Sequence, residues 1–172
     1  MKPTRLLWIA AVGSLLLACG ETSPVGVGTA PTAPPARLDW QNPPVGLLQC
    51  TSLPYDSTTQ TIGPEGGAIQ AGPHVLRIPP GALSDTVTIT MVVPPDTVNR
   101  VRFQPEGLTF ASPAWLTMSY ANCSLLGQLL PKQIAYTDDA LVVLEYLLSF
   151  DNFWSQRVTG RVNHFSNYAI AW

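Results

Sequence analysis

The chain has 172 residues, 46% of them hydrophobic and only 12% charged, with a formal net charge of −2. This balance excludes a disordered chain, which combines low hydrophobicity with high net charge. It also excludes a strongly basic nucleic-acid binder, because the Lys and Arg residues are few and scattered along the sequence.

The chain begins Met1-Lys2-Pro3-Thr4-Arg5 and continues with an apolar run over 6–18, broken only by Gly13 and Ser14. A short basic segment, an apolar core and small residues at its end make the three-part pattern of a secretory signal, expected over 1–18. The run falls short of the about 20 apolar residues that a transmembrane helix needs. Leu16-Leu17-Ala18-Cys19 resembles the lipobox of bacterial lipoproteins. The resemblance implies that the Cys19 sulfur takes a diacylglyceryl group and that the freed amine is often acylated in turn. Palmitate-like chains of this kind hold a protein on a membrane when there are two or three of them. The alternative is an ordinary secretory signal in which Cys19 is incidental. Gly20 follows the cysteine, where Asp would resemble an inner-membrane retention signal. The implied address is extracytoplasmic, and the outer membrane in a cell with two.

Residues 19–44 are rich in Pro, Gly, Thr and Ala, with few large apolar side chains. Such a composition buries no core and behaves as an extended, partly stiff tether. Leu38 and Trp40 are the exceptions, able to dock weakly on the domain. Residues 45–172 are long enough for one domain with a sizeable core. If Cys19 carries lipid, Cys50 and Cys123 remain as a pair in an oxidising compartment, where a disulfide is expected. A metal site would need more donors than two sulfurs, and only His74 and His164 could add to them. The disulfide is favoured; no metal or cofactor is expected.

Within the domain, Leu76 and Ile78 alternate with Val75 and Arg77 up to Pro79-Pro80-Gly81. Val87-Thr88-Ile89-Thr90-Met91-Val92 is a β-branched run closed by Pro94-Pro95. Leu116, Met118 and Tyr120 alternate with Trp115, Thr117 and Ser119. Further strands are expected at 101–104, 108–110, 133–137, 157–162 and 168–172. Residues 124–130 and 138–148 hint at helix. The second is ambiguous: Leu141, Leu144, Leu147 and Leu148 fit helical spacing, while Val142-Val143-Leu144-Glu145-Tyr146 reads as a strand. The expected fold is all-β, a β-sandwich of short, mostly antiparallel strands with room for one short helix.

Gly66-Gly67-Ala68-Ile69, then Leu76-Arg77-Ile78-Pro79-Pro80-Gly81-Ala82-Leu83 and Val87-Thr88-Ile89-Thr90, is similar to the ZU-five domain of zonula-occludens proteins, ankyrins and netrin receptors. The likeness covers about 61–120 and continues through Phe103-Gln104-Pro105-Glu106-Gly107-Leu108-Thr109-Phe110 and Pro113-Ala114-Trp115-Leu116. It implies a β-sandwich used as an interaction or mechanical module, by analogy of fold. Some ZU-five proteins of the death-domain class also carry His-Phe-Ser and cut themselves between Phe and Ser. Here the matching residues are His164, Phe165 and Ser166. In that chemistry the Ser166 hydroxyl attacks the Phe165 carbonyl, His164 acts as base, and water opens the ester. The plainer expectation is a turn or bulge near Phe165 that buries its ring.

Other candidates read as structural. His74, in a Gly-Pro-His-Val turn, is expected at the surface. Asp138-Asp139 could bind calcium but lacks the Gly-bearing acidic loop, so a solvated loop or helix start is expected. Asp151-Asn152-Phe153-Trp154 reads as a hairpin turn with an aromatic anchor. No Gly-x-Ser-x-Gly elbow supports a hydrolase, and an enzyme is not expected. The functional expectation is a lipid-anchored binding or structural module of the cell envelope. Its partners would be the membrane, through acyl chains on Cys19, and an envelope protein or polymer. The alternatives are the self-cleaving domain and, because Trp172 closes an aromatic alternation, a small outer-membrane barrel.

Overall fold

A computed structural model of the chain describes residues 46–124 and 130–172. The expected signal peptide, Cys19, the expected tether with Leu38 and Trp40, and most of the helix expected over 124–130 lie outside the described residues. Those described form strands β1 (Asp56–Ile62), β2 (Gly67–Ala71), β3 (His74–Ile78), β4 (Val87–Val93), β5 (Arg100–Gln104), β6 (Thr109–Ser119), β7 (Gln133–Thr137), β8 (Val143–Tyr146), β9 (Ser149–Asn152), β10 (Arg157–His164) and β11 (Asn167–Ala171). They pair antiparallel into a six-stranded sheet, β1-β4-β5-β11-β7-β8, and a five-stranded sheet, β2-β3-β6-β10-β9.

The core is what period-two alternation dictates. Ile69, Leu76, Ile78, Leu116, Met118, Val158 and Val162 from the smaller sheet join one cluster with Ile89, Met91, Val101, Phe103, Ile134, Tyr168 and Ile170 from the larger. The fold is the expected all-β sandwich. Each sheet keeps two free edges, β1 and β8 in one and β2 and β9 in the other. The strands therefore do not close into a barrel.

No helix occurs among the described residues, and the ambiguity at 138–148 resolves as turn and strand. Leu141 has φ 65°, and its N–H donates to Asp138 O at 3.2 Å, so the chain reverses there instead of winding on. β8 then pairs with β7, and Leu144 lies exposed although helical spacing had grouped it with a core face. Expected strands 108–110 and 115–120 prove to be one strand, β6, with Pro113 inside it. The proline is tolerated because β3 pairs only with 115–117 and the β10 register shifts between Val162 and His164, where the ladder is already interrupted.

Cys50 and Cys123 form the expected disulfide, closing a separation of 73 residues. It fastens the lead-in strand to the loop after β6. Beside it Asn99 and Asn122 exchange amide hydrogen bonds of 2.7 and 2.9 Å. The same lead-in bridges β11: Leu48 N–H donates to Ile170 O at 2.8 Å and Trp172 N–H to Gly46 O at 3.1 Å. Both sheets, the core and the disulfide thus lie within 46–172.

Two buried basic side chains complicate this core. His74 is not a surface residue as its turn suggested: Gly72 and Pro73 make the turn, and His74 opens β3 fully buried. Its Nδ1 accepts from Ser119 N–H at 3.2 Å, while Nε2 has no partner. Burial, reinforced by Arg157, lowers its pKa to about 4. Lys132 is buried with its ammonium over the rings of Tyr120 (5.0 Å) and Trp172 (5.6 Å), donating to Leu130 O. Burial lowers its pKa and nearby Asp151 opposes the shift.

Candidate functional site

Two residues, Phe165 and Ser166, carry the chain from the end of β10 in one sheet to the start of β11 in the other. A chain crossing between sheets must place its middle in the core, and Phe165 does so. Its ring is buried, stacked on Phe103 at 5.2 Å and edge-on to Phe110 at 5.1 Å. Three backbone hydrogen bonds tie the crossing to β5 and to the loop between β5 and β6. Phe165 N–H donates to Leu108 O (2.7 Å), Gly107 N–H donates to Phe165 O (3.0 Å), and Phe103 N–H donates to Ser166 O (3.2 Å).

The carbonyl that a serine attack would charge is the Phe165 carbonyl, and it already receives one amide donor. That is half of an oxyanion hole. The other parts are not assembled. The His164 ring packs edge-on to Tyr136 at 5.0 Å, and no hydrogen bond joins it to Ser166. The His164 carbonyl accepts from the Tyr168 hydroxyl at 2.6 Å, and burial pushes that phenol's pKa up. Non-glycine residues with positive φ among those described are Leu141 and Gln156, so the crossing itself carries no left-handed strain.

Ser166 borders a cleft of about 200 Å³ shared with Arg102, Glu106, Asp139 and Asn167. Asp139 is engaged within the cleft: it pairs with Arg102 at 3.3 Å and accepts from Asn167 Nδ2 at 3.1 Å, while Arg102 Nε is buried without a partner. Asp139 therefore serves as a bridge from the β7–β8 loop to β5 and β11. Asp138 caps its own turn by accepting from Val142 N–H at 2.8 Å.

The most conspicuous surface lies elsewhere, along the edge made by β8, β9 and the turn 153–156. Leu144, Tyr146, Leu148, Phe150 and Phe153 are all exposed there, and Trp154 is 93% exposed. The expected hairpin is present, β9 and β10 pairing antiparallel through the turn 153–156, while its bounds and its anchor differ from the expectation. Residues 149–152 are strand, and Trp154 anchors to nothing in the domain but the edge of Phe153, 5.8 Å away. Asn152 shapes the turn, accepting from Ser155 N–H at 3.1 Å.

The scattered basic residues also gather in space. Arg77 on β3, Trp115 on β6 and Arg161 on β10 are cross-strand partners in one row, so they share the outer face of the five-stranded sheet. The Arg161 guanidinium lies 5.8 Å from the Trp115 ring. Arg157 stands on that same face four residues before Arg161, next to the aromatic turn. Sequence reading missed this face because its members come from three strands; only the four-residue spacing of the two β10 arginines was visible.

No protein-family model matches the sequence, and no curated protein is significantly similar to it. What the fold and surfaces define is a class: a disulfide-bonded, two-sheet β-domain with one apolar edge, and a basic, aromatic outer face beside it.

Proposed function

We propose that the chain is a lipid-anchored, extracytoplasmic binding module of the cell envelope, a ZU-five-like sandwich whose binding surface is the edge around Trp154. The exposed apolar run along β8, β9 and their turn carries the reading. Contiguous apolar surface of this kind marks an interaction site. Edge strands are ordinarily blunted by charge or proline. The opposite edge strand, β1, is polar instead, with Ser57, Thr58, Thr59, Gln60 and Thr61 in succession. The lipobox at Cys19 and the Pro- and Gly-rich stretch after it support the anchor and tether. Intact mass of membrane-extracted protein under denaturing, non-reducing conditions tests the anchor. A species beginning at Cys19 with added acyl mass is expected, and Cys19→Ala should release the protein from membranes washed at high salt. Unacylated protein in the soluble fraction would sink this reading.

Self-cleavage between Phe165 and Ser166 is the second reading, favoured by the amide of Gly107 on the Phe165 carbonyl. It requires the His164 ring to leave Tyr136 and reach the Ser166 hydroxyl. The released segment would stay in place natively, because β11 pairs with both β5 and β7. Only denaturing mass analysis would reveal it. Ser166→Ala should abolish a fragment that wild type produces; a single uncut species in wild type refutes the reading.

A further inference from the structure

We propose that the outer face of the five-stranded sheet, together with the Phe153–Trp154 tip, docks on an anionic phospholipid bilayer. The proposal deepens the anchored-module reading and rests on it only for the nearness of a membrane.

The charges of this domain are divided unequally. Among the described residues, both ion pairs belong to the six-stranded side: Arg100 with Asp96 at 3.0 Å and Arg102 with Asp139 at 3.3 Å. Arg77, Arg157 and Arg161 form none. The five strands of their sheet contain one carboxylate, Asp151, and it is turned inward. Its two oxygens accept from the Tyr120 hydroxyl at 2.7 Å and from Lys132 N–H at 3.0 Å. A chain of net charge −2 thus presents a face whose three guanidinium groups form no ion pair, with Glu145 of the other sheet bordering the same small cleft as Arg161. Guanidinium matches phosphate oxygens bidentately and is weakly hydrated, which suits a headgroup layer.

The apolar part fits the same partner. Trp154 is 93% exposed, directly in the turn that leads to Arg157, and Phe150 and Leu148 continue the apolar surface along the edge. Tryptophan is enriched where a membrane meets water, since its ring is apolar with one polar tip. A glycan would need free polar groups around such a ring. The neutral and acidic ones here are largely engaged, Asn152 Oδ1 on Ser155 N–H, Asp151 on Tyr120 and Lys132, and Thr159 Oγ1 on Thr117 Oγ1 at 2.9 Å, which leaves the guanidinium groups, donors that suit phosphate. Apolar insertion at the tip and phosphate pairing behind it lay this face against the bilayer.

The test is co-sedimentation of residues 46–172, which hold both sheets, the core and the disulfide, with lipid vesicles. Phosphatidylglycerol-containing vesicles should bind it at low salt and release it at high salt, and phosphatidylcholine alone should bind weakly. Arg77→Gln, Arg157→Gln and Arg161→Gln should each weaken binding roughly fivefold. Trp154→Ser should weaken it about tenfold on either lipid. Tyr55→Ser, an exposed aromatic beside the opposite edge, should change nothing. All these positions lie at the surface, so unchanged circular dichroism should accompany every loss. Absence of binding to anionic vesicles overturns the proposal, as does binding indifferent to the three arginines. Retention on isolated cell-wall glycan with none on vesicles overturns it in favour of a polymer ligand. Vesicle binding by 46–172 without acyl mass on Cys19 of the full chain would remove the anchor and keep the docking face.

Discussion

Lowering the pH from neutral places a proton on His74 in the unfolded chain well before the folded chain can accept one. In the fold its pKa falls from 6.5 to about 4, through burial first and the nearby Arg157 second. A folded-state pKa below the unfolded one means that the unfolded state binds the proton more tightly. The contribution is therefore complete above pH 6.5 and is lost as the pH falls towards 4. Over that window the loss is about 3 kcal/mol, a large fraction of a typical domain's stability. Carboxylates also titrate near the lower end, so the residue must be isolated by comparison. His74→Asn keeps an acceptor near the Ser119 N–H and cannot titrate. Urea unfolding of both proteins at pH 7.5, 5.5 and 4 should show wild type losing about 3 kcal/mol more than the variant. Parallel losses in the two proteins would refute the reasoning, whatever their offset at neutral pH.

The Cys50–Cys123 bridge closes a separation of 73 residues. Reducing it should cost about 4 kcal/mol on the chain-entropy account, read as a lowered urea midpoint in the presence of reductant. Phe165→Ala removes a ring held between Phe103 and Phe110 and should destabilise by about 3–5 kcal/mol in the same assay, with Phe165→Leu recovering much of it. Gly66 and Gly81 have nearly equal positive φ, 76° and 78°, yet an added Cβ would meet Ile78 O at 2.5 Å at the first and nothing within 4 Å at the second. Gly81→Ala should cost about 1 kcal/mol of left-handed strain, measurable by thermal melting, whereas Gly66→Ala must also move backbone and should cost clearly more.

The sandwich was legible because its central strands obey period two. Leu76 and Ile78, or Leu116, Met118 and Tyr120, are buried in the alternation their sequence shows. Where a strand is half uncovered that signal vanishes: β8 exposes Leu144, Glu145 and Tyr146 in succession, so its residues fit helix and strand equally until β7 pairs with them. His74 misled for the opposite reason. Its Gly-Pro context predicts a turn correctly, but one residue later the chain is already in the core, and local composition carries no trace of what distant strands will cover. The ring of Phe165 is buried, as the expectation of a turn or bulge near it had it, but that the turn carries the chain from one sheet to the other was not visible. The separation of His164 from Ser166 was not visible, since it depends on Tyr136, a residue of another strand.

The two sheets dispose of their polar groups in different ways, and this difference links fold to function. The larger sheet pairs the charges of its arginines within the domain. Its arginines find Asp96 and Asp139, and its outer threonines bond one another across β1 and β4, as Thr59 does with Thr90 at 2.9 Å. The smaller sheet stops short of that: three guanidinium groups form no ion pair, and Trp154 stands exposed. Leaving them so lowers the stability of the isolated domain, through uncompensated charge and hydrated apolar surface, and raises what it can gain on contact. The proposed docking face is therefore the side whose guanidinium groups form no ion pair, opposite a sheet whose arginines are paired within the domain.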